Sequence, residues 1–224
     1  MRTYLSERNL FEAAGLSAAA TVLGLGRMAR SGQNVIPFVV AGFLVMIFVC
    51  GMVTAWGREG GMAGILPPRA RGLRGCVMAL VVALIVLPVR VFWLDPQLRE
   101  ALVQAIRRPD MALWYPEDAA GILSLMGWSA GIQMLFLQAA PMAFTARLTG
   151  RPVVGVALAL ALRSLLLRLQ LDAAGIVEGV PLFYGSAWLG TLLGCVVYAR
   201  YGLLPAALLA AGMDLSAWAR LWLS

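Results

Sequence analysis

The sequence predicts an all-α fold, a polytopic transmembrane helical bundle of six or seven spans. Three observations carry this. The chain is 61% hydrophobic and only 13% charged, with a mean hydropathy of +0.84, whereas about a quarter of the residues in soluble domains are charged. Its apolar residues gather into blocks that reach the ~20 residues a bilayer crossing requires. Its 18 arginines and 11 acids fall mostly in connections between those blocks, which reads as a topology signal. A nucleic-acid binder would cluster positive charge on an aqueous face, so no nucleic-acid partner is expected.

Residues 10–26 form a marginal block that is either a first span or a helix lying at the interface; it carries Glu12 and makes no convincing signal peptide. Residues 34–56 form a firm span closed by Trp56. The connection 57–75 is rich in Gly and Pro and sets Arg58, Arg69, Arg71 and Arg74 against Glu59 alone. The blocks 76–94, 119–146, 152–170, 179–199 and 203–223 are each long enough to span. Between the first two of these, 95–118 is the longest polar stretch. There Asp95 is placed to cap a helix with Pro96 at its first position, ending before Pro109. Leu98, Leu102, Val103 and Ile106 share one face of that helix, which predicts that it lies flat on the membrane surface. The chain thus divides into 1–118, holding N-terminal spans, basic linker and interfacial helix, and 119–224, a four-helix transmembrane core.

The basic connections at 57–75, at Arg147 and Arg151, and at Arg200 alternate with the net-acidic 95–118 and 171–178. The positive-inside rule puts the basic set in the cytoplasm, although Arg27 and Arg30 then fall on the opposite side if 10–26 crosses. The expected location is the bacterial inner (plasma) membrane. Gly127 with Gly131, Ser186 with Gly190 and Gly190 with Gly194 place small residues four apart, a spacing that lets helices approach closely in lipid. Cys50, Cys76 and Cys195 are scattered and without a Cys-x-x-Cys pair, so they read as small apolar residues.

A charge or amide at bilayer depth is costly, which singles out Gln133, Arg163, Arg168 and Asp214. Arg163 and Asp214 read either as an ion pair fixing helix register or as two walls of a polar cavity in the outer half of the bundle. Arg168 is placed to snorkel to the surface, Gln133 to hydrogen-bond between helices, and Glu178 to mark a helix start at the interface. With neither histidine nor lysine in the chain, zinc-dependent proteolysis through His-Glu-x-x-His, serine–histidine and serine–lysine dyads, and Schiff-base chemistry are all excluded. An aspartyl dyad needs two facing carboxyls, and Asp214 alone lies deep in a span. No metal or cofactor is called for, and no catalytic residue is assigned.

The stretch Leu189-Gly190-Thr191-Leu192-Leu193-Gly194-Cys195-Val196-Val197-Tyr198-Ala199-Arg200-Tyr201-Gly202-Leu203-Leu204-Pro205-Ala206 resembles the CPBP family, the CAAX-protease and bacteriocin-processing (Abi-type) membrane proteins. It matches that family's glycine-spaced helix, aromatic, basic residue and glycine, followed by a proline opening the last core helix. Arg147-Leu148-Thr149-Gly150-Arg151-Pro152 is similar to the short basic Gly-Pro turn between the first two core helices, and Gly64-Ile65-Leu66-Pro67-Pro68 to the N-terminal linker. The resemblance covers 119–223. It implies a CPBP-like core in the C-terminal half.

Active members carry Glu-Glu-x-x-x-Arg, Phe-x-x-x-His and His-x-x-x-Asn motifs. Here the glutamate pair falls near Ile132 and Gln133, the arginine near Leu137, the second-helix histidine near Leu166 or Leu167, and the last motif at Ala210 and Asp214. Each residue that activates water in the family is replaced, and an amide such as Gln133 is no general base. The resemblance therefore implies a non-catalytic homologue that binds a membrane peptide or a lipid-modified partner, besides membrane lipid, with Gln133, Arg163, Asp214 and Glu178 as cavity or partner-binding candidates. Two alternatives stand beside it. One is a divergent CAAX-type intramembrane endopeptidase using Asp214, Glu178 and a water, with Arg163 steadying the oxyanion. The other is a structural subunit of a larger membrane complex.

Overall fold

A computed structural model of the chain describes residues 7–29, 35–64, 68–98, 118–177 and 179–216. The described residues form seven helices and no strand: α1 (Glu7–Ala29), α2 (Val35–Glu59), α3 (Arg69–Gln97), α4 (Ala119–Thr149), α5 (Pro152–Ala174), α6 (Val180–Tyr201) and α7 (Leu203–Met213). Five of them, α2 to α6, are long and apolar enough to cross a membrane; even the shortest such stretch, 21 residues, is ~32 Å long against a hydrocarbon core of ~30 Å. Large apolar side chains such as Phe48, Leu84, Phe92 and Val153 point outward from these helices, as lipid rather than water allows. The protein is an integral membrane protein.

The marginal block 10–26 belongs to α1, which packs along α2 and the first part of α4 and buries Glu12, Ala13 and Ser17. The Ser17 hydroxyl donates to Cys50 Sγ, and Glu12 meets Arg58 at 3.9 Å. Among the described residues, its apolar stretch Leu10–Ala19 is shorter than a span.

Two expectations are corrected at α3. The helix opens at Arg69, seven residues ahead of the apolar block at 76, so Arg69, Arg71 and Arg74 stand on its first turns and not in a loop. At the other end no new helix begins at Asp95. Both it and Leu94 have helical backbone angles, and the helix runs through them to Gln97 by way of a π-helical turn, Val89–Leu94. The physical reason is Pro88, inside the helix: with no N–H to give the carbonyl four residues back it interrupts the α ladder. The chain absorbs the defect in a wider turn rather than ending the helix. Leu98, expected on a surface-lying face, is only 4% exposed and packs with Leu94, Leu167, Leu171, Ile176 and Phe183. Leu102, Val103 and Ile106 lie outside the described residues.

The helix α4 starts where the Asp118 carboxylate accepts from the Gly121 N–H at 2.7 Å, an N-cap worth ~1 kcal/mol. It too changes pitch, with π-helical turns at Ser129–Gln133 and Leu135–Ala139 just before Pro141. The turn into α5 follows the sequence closely. Gly150 takes φ +68°, a left-handed value that favours glycine, and Pro152 is the first residue of α5. The turn from α6 into α7 is made by Gly202 at φ +94°.

Tyr198, 1% exposed, sits at the centre of the core, donating to the Val53 carbonyl at 3.4 Å and packed with Cys50, Met134, Leu203 and Leu209. All three cysteines are free, two of them buried. The arginine-bearing ends of the helices gather at one end of the bundle, where Arg147 pairs with Glu59 at 3.1 Å and lies 5.5 Å over the Trp56 ring. At this basic end α3 and α6 touch: a Cβ on Gly75 would stand 2.5 Å from Tyr201 Cβ and 2.9 Å from Pro205 Cγ.

Candidate functional site: a polar cavity within the bundle

Away from the basic end the helices separate around a cavity of about 650 Å³ bounded by α3, α4, α5, α6 and α7. Apolar residues make most of its wall, and two arginines (Arg90, Arg163), two aspartates (Asp95, Asp214) and three amides (Gln133, Gln138, Gln170) project into it. The formal charge of the lining is therefore balanced, two against two. A cavity of a few hundred Å3 with a few converging polar groups is the ordinary form of a ligand site.

The polar groups are carried by the irregular turns. Arg90 stands on the π turn of α3, Gln133 and Gln138 on those of α4. Such turns widen a helix by one residue and occur often at functional sites. Arg90 Nη1 donates to the Met213 carbonyl at 2.6 Å, placing a cation on the last carbonyls of α7, where the helix dipole favours it. Its buried Nε has no hydrogen-bond partner, and neither has the buried Gln138 Oε1. A methyl on Gly194 of α6 would run into the Gln138 amide, so this glycine is what lets the amide lie between α4 and α6.

Arg163 is the middle residue of α5, ~16 Å from either end of the helix at 1.5 Å per residue. Its Nη1 donates to Gln133 Oε1 at 3.3 Å, and Asp214 and Arg90 are close enough to act on it electrostatically. The neighbouring Ser164 fixes the register of α5 on α6: Trp188 Nε1 donates to its hydroxyl at 2.8 Å, with Tyr184 set edge-on to Trp188 at 6.1 Å. At the end remote from the arginines, Leu98, Leu171, Ile176 and Phe183 close the cavity.

Three of the residues expected from the sequence thus come together: Gln133, Arg163 and Asp214 line one cavity, and Gln133 makes the expected interhelical hydrogen bond. Arg168 stands apart, exposed and 3.6 Å from Asp172 one turn on. Glu178 lies outside the described residues. Arg90, Asp95 and Gln138 were not anticipated as cavity residues. The available signal was Pro88 two residues before Arg90 and Pro141 three after Gln138, each a mark of an irregular turn inside an apolar block.

Comparison of the chain with known family models, curated proteins and solved structures finds no match to any of them.

Proposed function

We propose that this is a non-catalytic, CPBP-like membrane protein that binds a membrane peptide or a lipid-modified partner in the cavity between α3 and α7. The observation that carries the reading is the placement of Arg90, Gln133 and Gln138 on π turns lining one intramembrane cavity, with Arg90 Nε and Gln138 Oε1 unmet by any protein group. Buried polar atoms without partners are expensive, at ~1–3 kcal/mol each, so this wall is not arranged for stability alone. The family resemblance supports the reading from another side. Of the positions where the resemblance puts the family's motif residues, Gln133, Leu167, Ala210 and Asp214 line this cavity, whereas Ile132, Leu137 and Leu166 do not. The chain has neither histidine nor lysine to complete an acid–base pair with Asp214, which favours binding over cleavage. The basic end then faces the cytoplasm of a bacterial inner membrane.

The test is co-purification from native membranes in mild detergent, with mass spectrometry of intact proteins and of peptide fragments. An intact stoichiometric partner, lost on Gln138→Leu or Arg163→Leu while the variants keep their elution volume, is the expected result. Truncated fragments that vanish with Asp214→Ala would replace this reading with a divergent peptidase.

A further inference from the structure

The basic end of the bundle carries more positive charge than its acids answer. Arg58 meets Glu12 there, and Arg147 meets Glu59. Among the described residues, Arg69, Arg71, Arg74, Arg151 and Arg200 form no ion pair and no side-chain hydrogen bond, and all five are exposed. Three of them crowd the first two turns of α3, where the helix dipole opposes a cation. That helix has no acidic residue in its first turn and no side-chain cap. Its charges therefore favour an anion at this end.

Depth says which kind of anion. From Arg74 to Asp95 along α3 is ~31 Å at 1.5 Å per residue, the thickness of a hydrocarbon core of ~30 Å. Arg74 thus stands at the border of the hydrocarbon, level with lipid phosphates, and Arg71 stands one turn beyond it. These two arginines, three residues apart, are neighbours on one face of the helix. The same face continues into the bilayer at helical spacing through Met78, Val81, Ile85 and Val89, each apolar and exposed. From Arg74 to Ile85 it runs ~16 Å, about one leaflet's half of a ~30 Å core. Ile85 is also where α3 begins to line the cavity.

A pair of cations above an apolar stripe one leaflet deep complements a molecule with an anion at one end and a long hydrocarbon chain at the other. An acidic peptide brings the charge without the chain. A zwitterionic lipid brings the chain but leaves the excess of arginines unbalanced. We infer that α3 binds an anionic phospholipid, its phosphate on Arg71 and Arg74 and one acyl chain lying along Met78, Val81 and Ile85 towards the cavity. Basic clusters beside a span attract anionic lipid, and the guanidinium fork suits a phosphate. This site is separate from the cavity and does not depend on what fills it.

The full-length protein, stripped of lipid in mild detergent, is titrated under native mass spectrometry with three probes. These are dioleoyl phosphatidylglycerol, dioleoyl phosphatidylcholine and soluble glycerol phosphate, a headgroup without chains. The first phosphatidylglycerol should bind roughly tenfold or more tighter than phosphatidylcholine and resist an excess of glycerol phosphate. Arg71→Gln together with Arg74→Gln should bring it down to the phosphatidylcholine level with the elution volume of the protein unchanged. Arg151→Gln, which removes an equally exposed and unpaired charge from another turn, should leave it as it was. Equimolar phosphatidylglycerol with a diazirine at the end of one chain should label the segment Met78–Val89, and not the surroundings of Phe48, which is exposed on α2. Equal affinity for the two lipids, or an equal loss with Arg151→Gln, would reduce the patch to diffuse surface charge and overturn the inference. Displacement by glycerol phosphate would make this a site for free anions, and equal labelling at Phe48 would remove the stripe; either result overturns it too.

Discussion

The seam between α3 and α6 is built in opposite ways along its length. At the basic end Gly75 brings the α3 backbone against Tyr201 and Pro205 with no room for a methyl group. About three to four turns further on, Ile85 and Val89 face outward, and Gly185 and Leu189 opposite them are exposed. Small residues serve closeness at one end and openness at the other. In lipid, where packing rather than water expulsion joins helices, the first arrangement holds the bundle and the second contributes little to stability. A stretch that contributes little to stability is free to be used for binding.

The sharpest way to break this contrast is to place a side chain at each end. Gly75→Val should lower stability by ~1–3 kcal/mol through overpacking, read as a lower thermal midpoint in detergent, whereas Gly185→Ala should leave the midpoint unchanged or slightly raised. Equal losses would show that the open end is packed after all. Within the cavity, Arg163→Leu and Asp214→Leu should each cost more than the double substitution, by ~1–2 kcal/mol, because each single change strands the opposite charge. Additive costs, measured in the same denaturation assay, would show that these two charges do not act on each other. Trp188→Phe removes the hydrogen bond to Ser164 that sets α5 on α6 and should cost ~1 kcal/mol while leaving Gly75-dependent packing untouched. Smallest of all, Arg168→Ala should not move the midpoint, since Arg168 and Asp172 pair in the open; a measurable loss would mean that the exposed face of α5 is covered.

What could be read from the sequence follows from which forces are local. The apolar blocks at 34–56, 119–146, 152–170 and 179–199, the Gly150-Arg151-Pro152 turn and the Gly202 break depend on hydropathy and backbone preference, and each appears in the expected place; of the block 203–223, the helix is described only over Leu203–Met213, and 217–223 lie outside the described residues. Gln133, Arg163 and Asp214 were visible because a polar residue deep in an apolar block stands out. Arg90, four residues from the end of the block at 94, was not singled out. Only the continuation of α3 through Asp95 to Gln97 sets it inside. That continuation depends on packing of Leu94 and Leu98 against α5 and α6, a tertiary contact that local cap signals at Asp95 and Pro96 do not register. The early start of α3 has a similar origin, since arginines tolerate a helix whose first turns face the aqueous boundary.

Arg90 also ties together two events that occur on different helices. One nitrogen of its guanidinium holds the last turn of α7 at Met213 while another is unmet at the cavity. Filling the cavity and seating the C-terminal part of the chain therefore draw on the same side chain. Thermodynamic reciprocity requires that any change in affinity produced by undocking α7 be matched by an equal effect of the ligand on that docking. The end of α7 is in this sense a reporter: a label placed near Met213, which itself lines the cavity, should sense whether the cavity is occupied.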